Sequence, residues 1–274
     1  MNLSSQTVAV VTGAASGIGR SLSLQLAQAG VQVAIQDVNQ IGLAETQQLI
    51  EEGGGVVRSY LIDVGKKEEI YAAKDQILKD FGHVDIVVNN AGVALYRLSL
   101  QAVSQEEFDW LMNINFWGVV HGSMAYVPHL LERPESYVIN VSSVFGLVGV
   151  IHNGPYSCSK FAVRGFTESL RAEHLSTSMH VMVVHPGGIK TNIARNARTR
   201  GNDPMREKDV ANFEKAFKTT PEKAAETIMK AIARNKSRLL IGSDARVIDL
   251  FTRLMPEKFV RTFAEKLIKQ STVD

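Results

Sequence analysis

The sequence has few of the residues on which several common classes of protein depend. Cys158 is the only cysteine, so the chain cannot form an internal disulfide, and we expect a reducing, cytoplasmic location. Basic and acidic residues nearly balance, 30 against 28, and a net charge of +2 provides no basic surface for nucleic acid. The seven histidines lack the spacing of metal ligands, and no apolar run is long enough to span a membrane. We therefore expect no metal, nucleic acid or membrane partner.

Short apolar runs alternate along the chain with longer helical patterns. The runs are rich in valine and isoleucine and do not alternate with polar residues, which is typical of strands buried on both faces of a parallel sheet. This order predicts a doubly wound α/β fold of about seven parallel strands with helices on both faces. The predicted strands are Thr7–Val11, Val31–Gln36, Val56–Ile62, Val84–Val88, Tyr137–Val141, His180–His185 and Arg238–Ile241. The predicted helices are Gly17–Ala29, Gln40–Glu51, Lys66–Phe81, Gln105–Leu131, Tyr156–Ser176 and Pro221–Ala233.

No internal linker interrupts this pattern, so we expect residues 1–274 to form a single domain with its core at 6–241. The segment 191–220 is polar and poor in pattern, which is typical of a functional lid or a mobile loop. Residues 244–270 predict a helical extension with an apolar stripe. Such an extension can pack on its own domain, close a pocket, cover an interface or touch a membrane surface, and we expect no membrane binding.

A glycine-rich turn directly follows the first predicted strand and precedes a helix. Its spacing is G-x-x-x-G-x-G within Thr12–Gly19. Glycines let backbone amides approach a pyrophosphate, and the helix N-terminus adds partial positive charge. A tight turn that needs glycine only for its geometry is the alternative, but the position after the first strand favours a dinucleotide site. The residues predicted to hold it are Gly13, Ser16, Gly17, Ile18 and Gly19.

Polar residues end three further predicted strands. Asp37 can accept hydrogen bonds from a ribose 2′-hydroxyl and would repel a 2′-phosphate, which favours NAD over NADP. The alternative for Asp37 is a solvated acid at a strand end. Asp63 can reach an adenine amine, and small residues after the fourth strand let a cofactor pass close to the backbone, although turn formation and helix capping also explain such residues. The cofactor residues predicted here are Asp37, Asp63, Val64, Asn90, Ala91 and Gly92.

Tyr156 and Lys160 lie four residues apart and therefore on one helical face. An ammonium group beside a phenol favours the phenolate, so Lys160 is expected to lower the pKa of Tyr156 and make it a usable acid and base. Ser143 follows the fifth strand and can donate a hydrogen bond to a substrate oxygen. Asn115 can hold a water that leads to Lys160. Each residue also has a plainer interpretation. Tyr156 and Lys160 can be an exposed pair on a helix, Ser143 can cap a loop, and Asn115 can bend a helix.

Together these motifs resemble the short-chain dehydrogenase/reductase family, over roughly Gln6 to Ile241. The resemblance implies a Rossmann-like fold, the cofactor NAD, a small-molecule alcohol or carbonyl substrate, and a homodimer or homotetramer. It implies that Asn115, Ser143, Tyr156 and Lys160 form the catalytic set, with Lys160 also binding the nicotinamide ribose. It also implies cofactor contacts in the segment after the sixth strand, at Pro186, Gly187, Ile189 and Thr191, of which Ile189 and Thr191 touch the nicotinamide.

Apolar residues beside the expected site favour a lipophilic alcohol or ketone, although they also fit a plain hydrophobic core. Arg195, Arg198 and Arg200 in the expected lid permit an anionic group on the substrate or are simply solvated. A non-catalytic dinucleotide-binding sensor or scaffold on the same fold is the competing hypothesis. The predicted substrate residues are Val93, Leu95, Phe145, Leu147 and Gly188.

Overall fold

The computed structural model describes residues 1–200 and 217–271. Seven strands form one parallel sheet in the order β3-β2-β1-β4-β5-β6-β7. The order reverses between β1 and β4, which is the point where doubly wound sheets bind ligands. The strands are β1 Val8–Thr12, β2 Gln32–Asp37, β3 Val57–Leu61, β4 Ile86–Asn89, β5 Ser136–Val141, β6 Met179–Pro186 and β7 Arg238–Ile241.

Helices connect the strands and cover both faces of the sheet, as the alternating pattern predicts. The α-helices are α1 Gly17–Gln28, α2 Gln40–Glu52, α3 Lys67–Phe81, α4 Gln105–Met112, α5 Gly118–Leu131, α6 Gly154–Glu173, α7 Pro221–Ala233, α8 Ser243–Leu254 and α9 Pro256–Ser271. A π-helical turn, Asn113–Trp117, joins α4 to α5, and a short 3₁₀ turn spans Val144–Gly146. The predicted fold class is confirmed, with strand and helix ends shifted by a few residues.

Most strands are largely apolar because they are buried on both faces. The edge strand β3 differs, since its residues Arg58, Ser59 and Leu61 are exposed. In β1, Ala9 and Val11 belong to the hydrophobic cluster on one side of the sheet, whereas Val8 and Val10 belong to the cluster on the other side. All four side chains are fully buried. Successive residues of a strand point to opposite faces, so a run of valines fills two cores at once.

The predicted long helix Gln105–Leu131 is interrupted, and that prediction is corrected here. At the π turn the N–H of Gly118 donates to the carbonyl of Asn113, five residues back instead of four. An extra residue in one turn shifts the faces of the helix that follow it. Asn115, within this turn, is completely buried. Nothing in the apolar periodicity of the sequence marks such a turn.

The end of the chain forms two amphipathic helices, α8 and α9, as expected from its apolar stripe. The rings of Phe251 and Phe259 stack with centroids 5.6 Å apart, and Phe263 stacks on Phe259 in turn. None of the described helices is both long enough and apolar enough to cross a membrane. Of the predicted lid at 191–220, the part at 201–216 lies outside the described residues.

Candidate active site

The glycine-rich turn packs tightly on the segment that follows β4. Gly13 has a φ of +67°, and a Cβ atom there would lie 2.8 Å from the Cα of Ala91. A Cβ on Gly19 would lie only 2.1 Å from the carbonyl oxygen of Gly13. The Thr12 hydroxyl accepts hydrogen bonds from the N–H groups of Asn90 and Ala91, each at 3.0 Å. The turn is therefore closed by backbone contacts that only glycine permits.

The N-terminus of α1 is open on the side that faces the end of β6. Ser16 is the N-cap residue, but its side chain makes no capping hydrogen bond. Gly17 has a φ of +56°, and a Cβ there would lie 3.2 Å from the methyl group of Thr191. The first-turn N–H groups, which no side chain of the N-cap occupies, are the kind of donors that bind phosphate at a helix start.

The carboxylate of Asp37 is fixed at the end of β2. One oxygen accepts from the N–H of Ala15 at 2.9 Å, and the other accepts from the N–H of Asn39 at the same distance. Asp63 is held in a similar way, since its side chain accepts from the N–H of Gly65 at 2.8 Å. Asp63 thus organises its own turn, as the alternative for that residue predicted, whereas Asp37 also ties the end of β2 to the glycine-rich turn.

Three of the predicted catalytic residues lie together at the ends of β4 and β5. The Ser143 hydroxyl lies near enough to the Tyr156 phenol to influence its pKa, and it also caps its own loop by accepting from the N–H of Phe145 at 3.1 Å. The Lys160 ammonium lies 5.7 Å from the centroid of the Tyr156 ring and donates to the carbonyl of Val141 at 3.0 Å. A Cβ on Gly92 would meet the Lys160 Nζ at 3.4 Å. The phenol, the hydroxyl and the ammonium therefore share one pocket wall.

Asn115 reaches the same place from the π turn, but its amide is engaged by protein atoms. Its oxygen accepts from the N–H of Val93 at 2.8 Å, and its nitrogen donates to the Val93 carbonyl at 2.9 Å and to the Ser159 hydroxyl at 3.3 Å. Both amide hydrogens are used in this way. The side chain thus fixes the backbone at Val93, while its oxygen, which accepts one of these bonds, has a second lone pair. That Asn115 also holds a water stays a prediction.

Burial dominates the protonation of the Tyr156 and Lys160 pair. It raises the pKa of the Tyr156 phenol to about 12, although the Ser143 hydroxyl acts in the opposite direction. Burial lowers the pKa of the Lys160 ammonium from 10.5 to about 8. The expected lowering of the Tyr156 pKa by Lys160 is not found, because the desolvation of the phenolate outweighs any attraction to the ammonium. At neutral pH, Tyr156 is protonated and Lys160 is charged.

A buried histidine that the sequence motifs do not reveal lies behind the candidate site. His185, on β6, is fully buried, and its Nδ1 lies 3.0 Å from the carbonyl oxygen of Ser143, so this nitrogen carries hydrogen and donates. Burial lowers the pKa of its imidazole from 6.5 to about 4. The hydrogen bond to the Ser143 carbonyl and the charge of Asp249 oppose this shift, and the positive charges of Arg238 and Arg164 add to it. A histidine in an apolar strand gives no sequence signal of this contact, because Ser143 lies 42 residues away.

This histidine predicts a pH dependence of stability. The folded pKa is below the unfolded value, so between pH 6.5 and 4 the unfolded state binds a proton that the folded state does not, and stability falls as pH falls. The loss is at most roughly 3 kcal/mol. We expect urea unfolding of His185→Asn to show a shallower decline over this range than the wild type. His180→Asn, a half-exposed histidine on the same strand, is the control. Equal slopes for wild type and His185→Asn would contradict the assignment.

A second group that the sequence did not reveal is a buried network of polar side chains. Asn89 donates to the Ser123 hydroxyl at 3.0 Å and to the Asn140 side-chain oxygen at 2.8 Å, and Asn140 donates to the Thr167 hydroxyl at 3.1 Å. A Cβ on Gly122 would lie 2.2 Å from the Asn89 oxygen. The network joins β4, β5, α5 and α6, so it fixes the strands and helices that carry the candidate catalytic groups.

The predicted substrate residues divide into two groups. Leu95 and Leu147 are buried, which agrees with a role in the core. Val93 and Phe145 are partly exposed. The Phe145 ring meets the Tyr156 ring edge to face, with the ring centroids 5.9 Å apart. The remaining residue, Gly188, packs against the ring of Phe217, which was not among the predicted residues. A Cβ on Gly188 would lie 2.0 Å from this ring.

Two basic residues of the predicted lid have protein partners. Arg200 forms a two-pronged ion pair with Glu107, and this pair lowers the pKa of the carboxyl to about 2. The Arg198 guanidinium lies 5.1 Å from the ring centroid of Trp110. These contacts tie the described part of the lid to α4 and weaken the case for an anionic substrate group.

Comparison with known proteins agrees with this geometry. The short chain dehydrogenase family profile matches residues 7–202. A Mycobacterium tuberculosis protein named "Putative oxidoreductase SadH" is 39% identical over 269 residues, covering 96% of this chain and 95% of the relative.

Solved structures show the same architecture. A short chain dehydrogenase/reductase from Burkholderia phymatum, in complex with NAD, is 26% identical with a TM-score of 0.86, covering 94% of this chain and 95% of that one. A metagenomic short-chain oxidoreductase in complex with NADP is 25% identical with a TM-score of 0.72, covering 88% of this chain and 98% of that one. The chain therefore belongs to the short-chain dehydrogenase family and is an oxidoreductase.

Proposed function

We propose that this protein is an NAD(H)-dependent oxidoreductase that interconverts a lipophilic alcohol and the corresponding carbonyl compound. The observation that carries the proposal is that the Ser143 hydroxyl, the Tyr156 phenol and the Lys160 ammonium lie together at the edge of the sheet that also bears the glycine-rich turn. A group that donates and accepts a proton next to a dinucleotide site is what alcohol and carbonyl interconversion requires.

The residues at this edge fit a dinucleotide. The glycine-rich turn would receive the pyrophosphate, because its positive-φ glycines and the uncapped start of α1 leave N–H groups for an anion. Asp37 would bind the adenosine ribose, and Asp63 with Val64 would border the adenine. Bound NAD or NADH accepts or supplies the hydride. The remaining proposed contacts are Asn90, Ala91, Gly92, Pro186, Gly187, Ile189 and Thr191.

Tyr156 would exchange the proton at the substrate oxygen. In the direction of reduction its hydroxyl donates a proton to the carbonyl oxygen, and in oxidation its phenolate takes the proton of the alcohol. Ser143 would hold the same oxygen by a hydrogen bond. Because burial keeps the pKa of Tyr156 at about 12, the residue is already in the protonated form that reduction needs at neutral pH.

Lys160 would supply positive charge next to the phenol and bind the nicotinamide ribose hydroxyls. Its pKa of about 8 leaves it charged at neutral pH. Asn115 would support the set by fixing the backbone at Val93, which borders the pocket. The partly exposed apolar side chains of Val93 and Phe145 favour a lipophilic substrate. A screen of steroids, retinoids, aliphatic alcohols and diketones with NAD and NADH tests the substrate class.

We also propose that the protein forms a homodimer or homotetramer through α5 and α6. Large apolar side chains on this side of the molecule are exposed in the single chain, which is typical of a surface that a partner covers. They are Trp117, Met124, Leu131 and Phe161.

The cofactor assignment predicts a preference that depends on Asp37. The wild type is expected to use NAD better than NADP, because a carboxylate repels a 2′-phosphate. Asp37→Ala and Asp37→Asn should each reduce the kcat/KM ratio of NAD to NADP by about 10- to 100-fold. The asparagine variant keeps an acceptor for the N–H of Ala15, so it separates lost repulsion from a disturbed turn. Steady-state kinetics with both cofactors decide, and an unchanged ratio in both variants would refute the assignment.

A further inference from the structure

We propose that Asp244, in the first turn of α8, is a positioning residue that shapes the segment Pro186–Thr191 for the nicotinamide end of the cofactor. The inference rests on the proposed function, which assigns this segment to the cofactor. With this role for Asp244, the helical extension that follows β7 contributes to the site. The sequence alone left the role of this extension open.

The contact is a direct hydrogen bond across a long sequence separation. One carboxylate oxygen of Asp244 accepts from the N–H of Gly188 at 2.6 Å, although the residues are 56 positions apart. The neighbouring N–H of Gly187 donates to the carbonyl of Ile241 at 2.8 Å. The chain leaving β6 is therefore bound by the chain that leaves β7 and enters α8. A hydrogen bond to a charged acceptor is shorter and stronger than a neutral one.

Glycines border the carboxylate where any side chain would collide with it. A Cβ on Gly187 would lie 2.2 Å from one Asp244 oxygen, and a Cβ on Gly242 would lie 2.3 Å from the other. Gly242 also has a φ of +100°, a backbone conformation that other residues rarely adopt. The chain that follows two strand ends thus leaves room for one carboxylate, which remains exposed to solvent on its outer side.

The same segment is held from its other side. The N–H of Lys190 donates to the carbonyl of Thr219 at 3.0 Å, and Ile189 pairs with Thr219 as a short parallel bridge. The Phe217 ring lies against Gly188. The segment Pro186–Thr191 is thus bound by Asp244 and also by residues 217–219. Removing the carboxylate frees the N–H of Gly188 and leaves the segment free to shift on that side.

A purely local role for Asp244 is the competing explanation, because an acid in the first turn of a helix also stabilises that helix. The two roles predict different results for Asp244→Asn. Asparagine loses the charge but keeps an oxygen that can accept from the N–H of Gly188. Rescue by asparagine therefore points to the contact with Gly188 and not to the charge at the helix start.

The first measurement is the Kd for NADH by fluorescence titration, with thermal unfolding of each variant alongside. We expect Asp244→Ala to raise the Kd by about tenfold and Asp244→Asn by no more than about threefold. Ser243→Ala, an exposed neighbour in the same turn, should bind as the wild type does. Once a substrate is known, the KM for the cofactor should rise while kcat changes little, because Asp244 touches no reacting atom.

A double-mutant cycle with Gly187 tests the contact itself. Gly187→Ala should weaken NADH binding by about tenfold in the wild-type background, as Asp244→Ala does, because its methyl group would push the carboxylate away from the N–H of Gly188. In the Asp244→Ala background the same change should cost about threefold or less. Additive effects of the two changes would overturn the proposal.

The outcomes separate this inference from the function on which it depends. If the wild type binds NADH and Asp244→Ala binds it equally well, the role of Asp244 is wrong and the proposed function stands. If Asp244→Asn is as weak as Asp244→Ala while both unfold at a lower temperature, the residue only stabilises α8 and the inference is overturned. If the wild type binds neither NADH nor NADPH, the proposed function fails and this inference fails with it.

Discussion

Tyr156→Phe is expected to lower kcat by about 10³-fold, which is the loss typical of removing a general acid and base. The ring remains, so its edge-to-face contact with Phe145 and the packing of α6 are preserved. Only the phenol hydroxyl beside Ser143 is lost. Because the phenol would act on the substrate oxygen, the Kd for NADH should stay within about threefold of the wild-type value. The measurement is single-turnover reduction of a carbonyl substrate found in the screen, with NADH binding measured in parallel.

The matched control is Tyr60→Phe, which removes another hydrogen-bonded phenol hydroxyl, in this case one that donates to Asp80 at 2.7 Å. Tyr60 lies on β3, at the edge of the sheet away from β5 and α6, so its variant should keep wild-type kcat. A Tyr156→Phe enzyme with kcat within tenfold of wild type would show that another group moves the proton. Loss of both kcat and NADH binding would mean that the residue supports the site without acting as the acid.

The fold was predictable because its main signal is local. The central strands are buried on both faces, so valine and isoleucine runs mark them without knowledge of their neighbours, whereas the edge strand β3 carries an exposed arginine and serine. The glycine-rich turn was equally accessible, since the φ values of Gly13 and Gly17 and the tight approach at Gly19 demand glycine at those positions. The spacing of Tyr156 and Lys160 within one helix also placed these residues correctly beside each other.

What the sequence could not supply depends on contacts between distant residues. His185 and Asp244 each meet the site through a backbone group far along the chain, and no periodicity records such a partner. The direction of the Tyr156 pKa shift was missed for a related reason. The charge of Lys160 is visible in the sequence, whereas the depth of burial that outweighs it follows only from the packing of the whole sheet.

The largest effect on cofactor binding is expected from Gly19→Ala. The added methyl carbon would lie 2.1 Å from the Gly13 carbonyl oxygen and 2.7 Å from the Asn90 side-chain nitrogen, far inside normal contact distances. The Gly13 carbonyl is a backbone group, and Gly13 packs directly against Ala91, so the carbonyl cannot move away from the new methyl group. Helix α1 must therefore shift outward and carry its first-turn N–H groups away from the phosphate position. We expect the Kd for NADH to rise by about 10²-fold and the protein to lose about 1–3 kcal/mol of stability.

The control for this change is Gly53→Ala, at the end of α2, where the new methyl group would make ordinary contact with the Ile50 carbonyl at 3.4 Å. That variant should bind NADH within about twofold of the wild type. Calorimetric titration and urea unfolding of both variants separate the two consequences, because a turn that merely loses stability would still bind cofactor once folded. Wild-type affinity in a folded Gly19→Ala protein would show that the pyrophosphate is not held by this turn. Weakened binding with the fold intact would place the anion at the start of α1, where the uncapped N–H groups point.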